Sequence, residues 1–234
     1  MFKSKVFVSA LASGMVLSGF TNVAHGETNV AHGEMNEVEI KQLNQKVENV
    51  LDSIGEDISV TNKGIDYDKK ELALSINDDQ IEELNSLAKL QGINTSYTKE
   101  SFLKKMTDGL DEVNQKVEDG DLKVLSDGTM IESDDENFYL QGGSTRTTTH
   151  YWGKRYYKST KATKDWIYRG EQNAVGLGSA AAVSAFFTVG AGFALGTATS
   201  TWFTLFTRSL KHYNNKRGTV SDITWVLVYS VKSQ

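Results

Sequence analysis

The chain has 234 residues, of which 24% are charged and 39% are hydrophobic, and its formal net charge is −5. It contains neither cysteine nor proline, which excludes disulfide bonds, a lipid-modified cysteine and a proline-based wall-sorting motif. The charge is unevenly distributed. Residues Glu27–Gly142 hold 27 acidic residues and 11 lysines, whereas Gly143–Gln234 hold 12 basic and 3 acidic residues. We call these two parts the acidic half and the basic half.

The first 26 residues have the pattern of a secretory signal peptide. Lys3 and Lys5 precede an apolar run, Val6–Phe20, and small residues follow it up to Gly26. Because NVAHGE occurs twice, the signal has an alternative end at residue 33. A membrane anchor is the other interpretation, which the shortness of the apolar run disfavours. We therefore expect a secreted, extracellular protein of the kind that Gram-positive bacteria export.

Within the acidic half, residues 27–136 have the pattern of a small α+β domain. Apolar residues at three- and four-residue steps predict helices over Val38–Ile54, Asp78–Leu90 and Thr98–Val117, with Asn77 or Asp78 capping the second. Short alternating runs predict strands at Ile58–Val60 and Leu72–Ile76, with a turn near Asn62–Gly64. The dipeptide Asp127-Gly128, between two apolar pairs, predicts a further β-hairpin.

Residues 137–143 form a predicted linker with a candidate cleavage site. The segment Glu136–Gly142 (ENFYLQG) resembles the engineered protease site ENLYFQG, with Phe138 and Leu140 exchanged. An acidic, then aromatic, then glycine-rich segment is accessible to proteases when it joins two domains. We expect processing at Gln141, Gly142 and Gly143.

Within the basic half, residues 144–234 form a predicted module with two strand-like ends around an uncharged centre. Thr145–Ser159 and Thr219–Val231 are rich in β-branched and aromatic residues, and each predicts a strand. Gln172–Thr207 contains 36 residues without a Lys, Arg, Asp or Glu. Gly190 and Gly192 divide this centre, so we expect a helical hairpin over Asp165–Thr188 and Phe193–Tyr213. The predicted fold class is α+β, with two strands bracketing an apolar Gly/Ala-rich helical hairpin.

The uncharged stretch is long enough to enter a membrane, because about 18 apolar residues without charge can span the hydrocarbon layer as a helix. Small residues at four-residue spacing would let helices approach closely in lipid, although a tightly packed soluble hairpin uses the same residues. We expect membrane insertion of Ala174, Gly176, Gly178, Phe186, Phe187, Gly190, Gly192, Phe193, Gly196, Trp202 and Phe203.

Aromatic and basic residues on both sides of the stretch fit the headgroup layer of a bilayer. Tyr168, Lys164 and Arg169 are among the residues that precede it. The residues that we expect to contact anionic lipid are Trp152, Lys154, Arg155, Lys158, Trp166, Arg208, Lys211, Lys216 and Arg217. Nucleic-acid binding would leave the uncharged stretch unexplained and is inconsistent with a secretory signal.

The sequence contains no pattern that indicates catalysis. The histidines are isolated, and HExxH, GxSxG and phosphate-loop motifs are absent. The run Asp66–Glu71 (DYDKKE) lacks the glycine and the distal glutamate of a calcium loop. We therefore expect no enzyme activity, no metal and no cofactor.

In layout the chain resembles the exported precursors of Gram-positive bacteriocins and cannibalism toxins, which carry a signal, a polar pro-region and an apolar Gly/Ala-rich segment. This resemblance implies an antibacterial protein whose basic half permeabilises anionic bacterial membranes after release from the acidic half. Self-association and an immunity protein are further partners that such a function allows. The alternative is a non-lytic secreted binding or structural protein with a soluble α+β basic half.

Overall fold

The computed structural model describes residues 37–55, 58–133, 143, 145–176 and 199–234. The helices are α1 (Glu37–Ile54), α2 (Lys69–Ser75), α3 (Asp78–Leu90), α4 (Lys99–Glu118), α5 (Thr160–Gly176) and α6 (Ser200–Tyr213). The strands are β1 (Ser59–Thr61), β2 (Gly64–Asp66), β3 (Leu122–Val124), β4 (Met130–Glu132), β5 (Arg146–His150), β6 (Gly153–Lys158), β7 (Thr219–Thr224) and β8 (Tyr229–Ser233). The fold class is α+β, as the sequence predicts. The predicted signal peptide lies outside the described residues.

One antiparallel sheet of six strands, in the order β3-β4-β5-β6-β7-β8, contains strands from both halves of the chain. The acidic half supplies β3 and β4, and β4 meets β5 at the pair Met130–Thr149. The predicted linker joins these two neighbouring strands. Residues Asn36–Gln234 form one compact unit in the structure. The division into an acidic domain and a basic module remains a prediction.

Local capping fixes the beginnings of helices α3 and α4 in the acidic half. Asn77 forms a capping box with Gln80 at the start of α3, and Thr98 does the same with Ser101 at the start of α4. All three predicted helices are confirmed, as is the β3–β4 hairpin around Asp127-Gly128.

The predicted strand Leu72–Ile76 is wrong, because these residues belong to helix α2 and its C-terminal cap. The side chain of Asp68 accepts hydrogen bonds from the backbone N–H groups of Lys70 and Glu71 and so starts a helical turn. Leu72 is then buried while Leu74 is 84% exposed. An alternating pair of leucines on so short a helix resembles a strand pattern.

Each strand predicted at an end of the basic half is in fact a β-hairpin. The first turns at Tyr151–Trp152 between β5 and β6, and the second at Trp225–Val228 between β7 and β8. Leu227 adopts a φ of 66° in the second turn, which a leucine rarely does. Residues Thr219–Val231 are all buried, and the turn at Trp225–Val228 has only apolar side chains. No polar turn residue therefore marks this hairpin in the sequence.

Helix α6 begins at Ser200, later than the predicted Phe193, because Thr199 is its N-cap and accepts a hydrogen bond from Trp202 N–H at 3.3 Å. Helix α5 begins at Thr160, earlier than the predicted Asp165. Residues 177–198 of the uncharged stretch lie outside the described residues. The two helices pack against each other, and α6 also packs against β8.

Strand β8 is the edge of the sheet, and residues of the acidic half occupy its outer side. The carboxamide of Asn44 on α1 bonds both to Val231 O (2.5 Å) and to Val231 N (3.2 Å). Gln91 makes the same pair of bonds to Tyr229, at 2.6 and 2.9 Å. These side chains satisfy backbone groups that an edge strand otherwise presents to solvent or to another strand.

Candidate membrane-interaction region

Helices α5 and α6 contain the two ends of the uncharged stretch, and both contain residues predicted to insert into lipid. Ala174 and Gly176 lie in the last turns of α5, and Trp202 and Phe203 lie in the first turn of α6. The other members of the predicted set lie outside the described residues: Gly178, Phe186, Phe187, Gly190, Gly192, Phe193 and Gly196. The same is true of the predicted processing residues Gly26, Gln141 and Gly142.

Trp202 is at the centre of the core in this state of the protein. It is 0% exposed, stacks on Phe206 at 5.0 Å and meets Tyr229 edge-on at 5.4 Å. Its indole N–H donates to Leu227 O at 3.0 Å. Phe203 is equally buried. A role of these two residues in lipid therefore requires that they leave the core.

Trp166 also lies in the core, where its ring meets Phe206 edge-on at 5.5 Å. The neighbouring Tyr168, on the opposite side of α5, is 64% exposed. On a helical wheel the two residues lie on opposite sides, because Trp166 shares a face with Thr163 and Tyr168 with Lys164. Their separation is the same wherever the helix begins, so the predicted helix over Asp165–Thr188 already contained the distinction.

The exposed side of α5 is basic around Tyr168. Lys161, Lys164 and Arg169 are all exposed on it, and Lys161 pairs with Asp165 at 3.1 Å. We call Lys164, Tyr168 and Arg169 the α5 face. An exposed aromatic ring between cations suits the headgroup layer of an anionic bilayer.

The predicted lipid-contacting residues of α6 and the turn after it are mostly exposed. Lys211, Lys216 and Arg217 are exposed, and Arg208 is partly buried. Lys211 forms an ion pair with Glu171 of α5 at 2.5 Å, which ties the two helices together. Exposed pairs of this kind contribute little to stability, so Lys211 can exchange Glu171 for another anion at low cost.

The predicted lipid-contacting residues of β6 are held within the fold. Burial, with a smaller contribution from Lys116, lowers the pKa of Lys154 to about 8, while the carboxylates of Glu112 and Glu132 act in the opposite direction. Burial also lowers the pKa of Lys158, whose ammonium lies 4.9 Å from the centre of the Trp166 ring. Neither lysine offers a freely exposed charge in this state.

Arg155 is engaged by a carboxylate of the basic half itself. Its guanidinium makes two bonds to Asp222 on β7, at 2.6 and 2.8 Å, and Asp222 is buried. Trp152, in the preceding turn, stacks on His150 with ring centres 4.8 Å apart, and the Arg155 guanidinium lies 5.7 Å from the Trp152 ring. A two-bond pair of this geometry positions strands β6 and β7 and leaves Arg155 less available to a phosphate.

Gly143 is the one predicted processing residue that the structure describes. Its backbone N–H donates to Gln234 Oε1 at 2.6 Å, and its φ is +90°. This bond ties the beginning of the basic half to residues beyond β8.

None of the helices within the described residues combines the length and hydropathy that crossing a bilayer requires. In the same part of the chain, no three acidic or histidine side chains are grouped so that they could hold a metal ion. Comparison with known proteins gives no match to a family model, a curated protein or a solved structure.

Proposed function

We propose that the chain is a secreted antibacterial precursor, similar in plan to a bacteriocin, whose basic half binds and permeabilises anionic membranes. The α5 face carries this proposal. It combines two exposed cations with a Tyr168 side chain that is 64% exposed, and α5 leads directly into the uncharged stretch. A surface of this composition favours anionic headgroups, and an uncharged segment beside it favours the hydrocarbon layer.

In this proposal the acidic half holds the basic half in a harmless state. Two features support that role. Carboxylates of α4 and β4, Glu112 and Glu132, are close enough to Lys154 to influence its pKa. In addition, Lys232 on β8 forms an ion pair with Glu48 on α1 at 3.4 Å. Charge interactions of this kind partly neutralise basic groups that a membrane would otherwise attract.

The test uses the chain from Glu27 to Gln234 with the linker converted to a cleavable sequence. The exchanges Phe138→Leu and Leu140→Phe create ENLYFQG, so the purified protein can be cut after Gln141 by the matching protease. We expect release of dye from phosphatidylglycerol vesicles after the cut and little release before it. Phosphatidylcholine vesicles and the unconverted chain treated with the same protease are the controls. Intact phosphatidylglycerol vesicles before and after the cut would exclude membrane permeabilisation.

Matched substitutions examine the α5 face itself. A basic residue near an anionic surface contributes about 1 kcal/mol, so Lys164→Ala should weaken vesicle binding roughly fivefold. Tyr168→Ala should weaken it as well, because it removes the aromatic anchor. Lys123→Ala and Leu74→Ala change exposed residues of the acidic half and should have little effect. Equal losses in all four variants would contradict a specific role of the α5 face.

A non-lytic secreted binding protein is the second candidate. The burial of Trp202 and Phe203 favours it, because the end of the uncharged stretch then has a purpose in the folded core. This candidate predicts that the cut protein leaves both kinds of vesicle intact and that the two fragments stay together.

A further inference from the structure

The turn after α3, residues Gln91 and Gly92, contacts the basic half at two separate points. The Gln91 carboxamide is completely buried and bonds to both backbone groups of Tyr229 at the start of β8. The carbonyl of Gly92 accepts a hydrogen bond from Thr199 Oγ1 at 2.6 Å. One short turn of the acidic half thus holds the first residue of β8 and the residue before α6.

Thr199 has a position that gives this contact particular importance, because it comes directly after residues 177–198 of the uncharged stretch. Its hydroxyl donates to Gly92 and also accepts from the backbone N–H of Trp202, which makes Thr199 the N-cap of α6. A cap residue of this type stabilises the first turn of a helix. The contact with Gly92 fixes the rotamer in which Thr199 can act as the cap.

Gly92 suits the contact because it has no side chain. Its φ is +75°, and a Cβ atom at this position would lie 2.7 Å from the backbone nitrogen of Trp202. Both the backbone conformation and the space therefore require glycine. The backbone of Gly92 thus lies closer to the start of α6 than non-specific hydrophobic packing between the two halves requires.

Both contacts converge on Trp202. Gln91 holds the backbone of Tyr229, whose ring packs edge-on against Trp202 at 5.4 Å. Thr199 holds the first turn of α6, which contains Trp202. The indole of Trp202 in turn donates to Leu227 O in the turn before β8. Loss of either contact loosens the same small region.

We propose that Gln91 and Gly92 form an autoinhibitory latch, which keeps the beginning of α6 folded and so holds Trp202 and Phe203 in the core, away from lipid. The inference rests on the proposed membrane activity for its purpose, but it assigns the restraint to defined hydrogen bonds in the acidic half. Opening the latch frees the first turn of α6 without cutting the chain. Attraction between the opposite charges of the two halves is then not sufficient to keep the protein inactive.

The first experiment measures whether the latch holds α6, by amide hydrogen exchange of the uncut chain. Thr199→Val keeps the shape of the side chain and removes both of its bonds. Exchange at the amides of Trp202 and Phe203 should become about tenfold faster, which is the effect of losing a typical helix cap. Thr199→Ser keeps the hydroxyl and should restore slow exchange.

The control for this experiment is Thr204→Val, on the exposed side of α6, whose hydroxyl bonds to Ser200 O within the helix. It removes a hydroxyl from the same helix and should leave exchange at Trp202 unchanged. Exchange in Thr199→Val that equals exchange in the unsubstituted chain would overturn the latch.

The second experiment measures dye release from phosphatidylglycerol vesicles by uncut Thr199→Val and Gln91→Leu chains. Gln115→Leu, which alters an exposed glutamine bonded to Asp119, is the matched control. Release by both latch variants, with no release by the control, supports the proposal. If the cut protein releases dye but the latch variants do not, the turn holds α6 without inhibiting activity, and the proposal is overturned. If no sample releases dye, the proposed function fails, and hydrogen exchange alone decides whether the turn holds α6.

Discussion

Replacement of Trp202 by alanine measures how much this residue, near the end of the uncharged stretch, contributes to the stability of the core. The side chain is 0% exposed and contacts the rings of Phe203, Phe206 and Tyr229. Truncation of a buried tryptophan costs about 3–5 kcal/mol of unfolding free energy. The Leu227 carbonyl also loses its donor, which adds about 1 kcal/mol if water reaches it and more if it does not. We therefore expect Trp202→Ala to lower the unfolding free energy by about 5 kcal/mol.

The assay is urea unfolding of Glu27–Gln234, followed by far-ultraviolet circular dichroism. Since a domain of this size is stable by about 5–15 kcal/mol, the variant should keep about 0–10 kcal/mol and should unfold at a much lower urea concentration. Trp152→Ala is the comparison, because the Trp152 ring is partly exposed and stacks on the ring of His150. It should cost about 1–2 kcal/mol. A loss below about 1 kcal/mol for Trp202→Ala would refute the assignment of this residue to the core.

Three further predictions concern the sheet. Gly153→Ala should lower the free energy of unfolding by about 3 kcal/mol or more, because the φ of Gly153 is +148° and a Cβ would clash with the carbonyl oxygen of Ile223. A strongly lowered melting temperature is the measurement that checks this. Asp222→Ala should cost about 3 kcal/mol in urea unfolding, because it leaves the partly buried Arg155 without its carboxylate; a cost near zero would contradict this. Burial and the charge of Arg155 lower the pKa of His150 to about 4, so unfolded chains bind more protons between pH 6.5 and 4. Stability should be complete above pH 6.5 and should fall as the pH approaches 4, and His150→Gln should remove this part of the pH dependence of unfolding.

The helices of the acidic half could be predicted because their signals are local. Asn77 and Thr98 cap helices whose apolar residues recur at helical spacing, and both positions act as caps in the structure. The hairpins of the basic half could not be predicted in the same way. Leu227 occupies a turn that a glycine or asparagine would normally mark, and the residues around it are buried as completely as the strands.

The predicted lipid-contacting residues were chosen by composition and proximity to the uncharged stretch, and composition does not determine which side of an element a residue occupies. Trp166 and Tyr168 are two residues apart, yet α5 buries the first and exposes the second. Charge alone likewise did not reveal that Asp222 would engage Arg155, because the two lie 67 residues apart and meet only when β6 pairs with β7. The contacts of Gln91 depend on an even longer separation, 138 residues, and have no sequence signature.

The bonds of Asn44 and Gln91 to strand β8 have a consequence for biosynthesis. Their partners lie 187 and 138 residues further along the chain. At a translation rate of about 5–20 residues per second, Asn44 is synthesised roughly 10–40 seconds before Val231. During that interval the edge contacts cannot form, so the nascent chain stays incompletely folded until β8 is made. Pairing of Asn44 and Gln91 with this final strand then completes the fold at its edge.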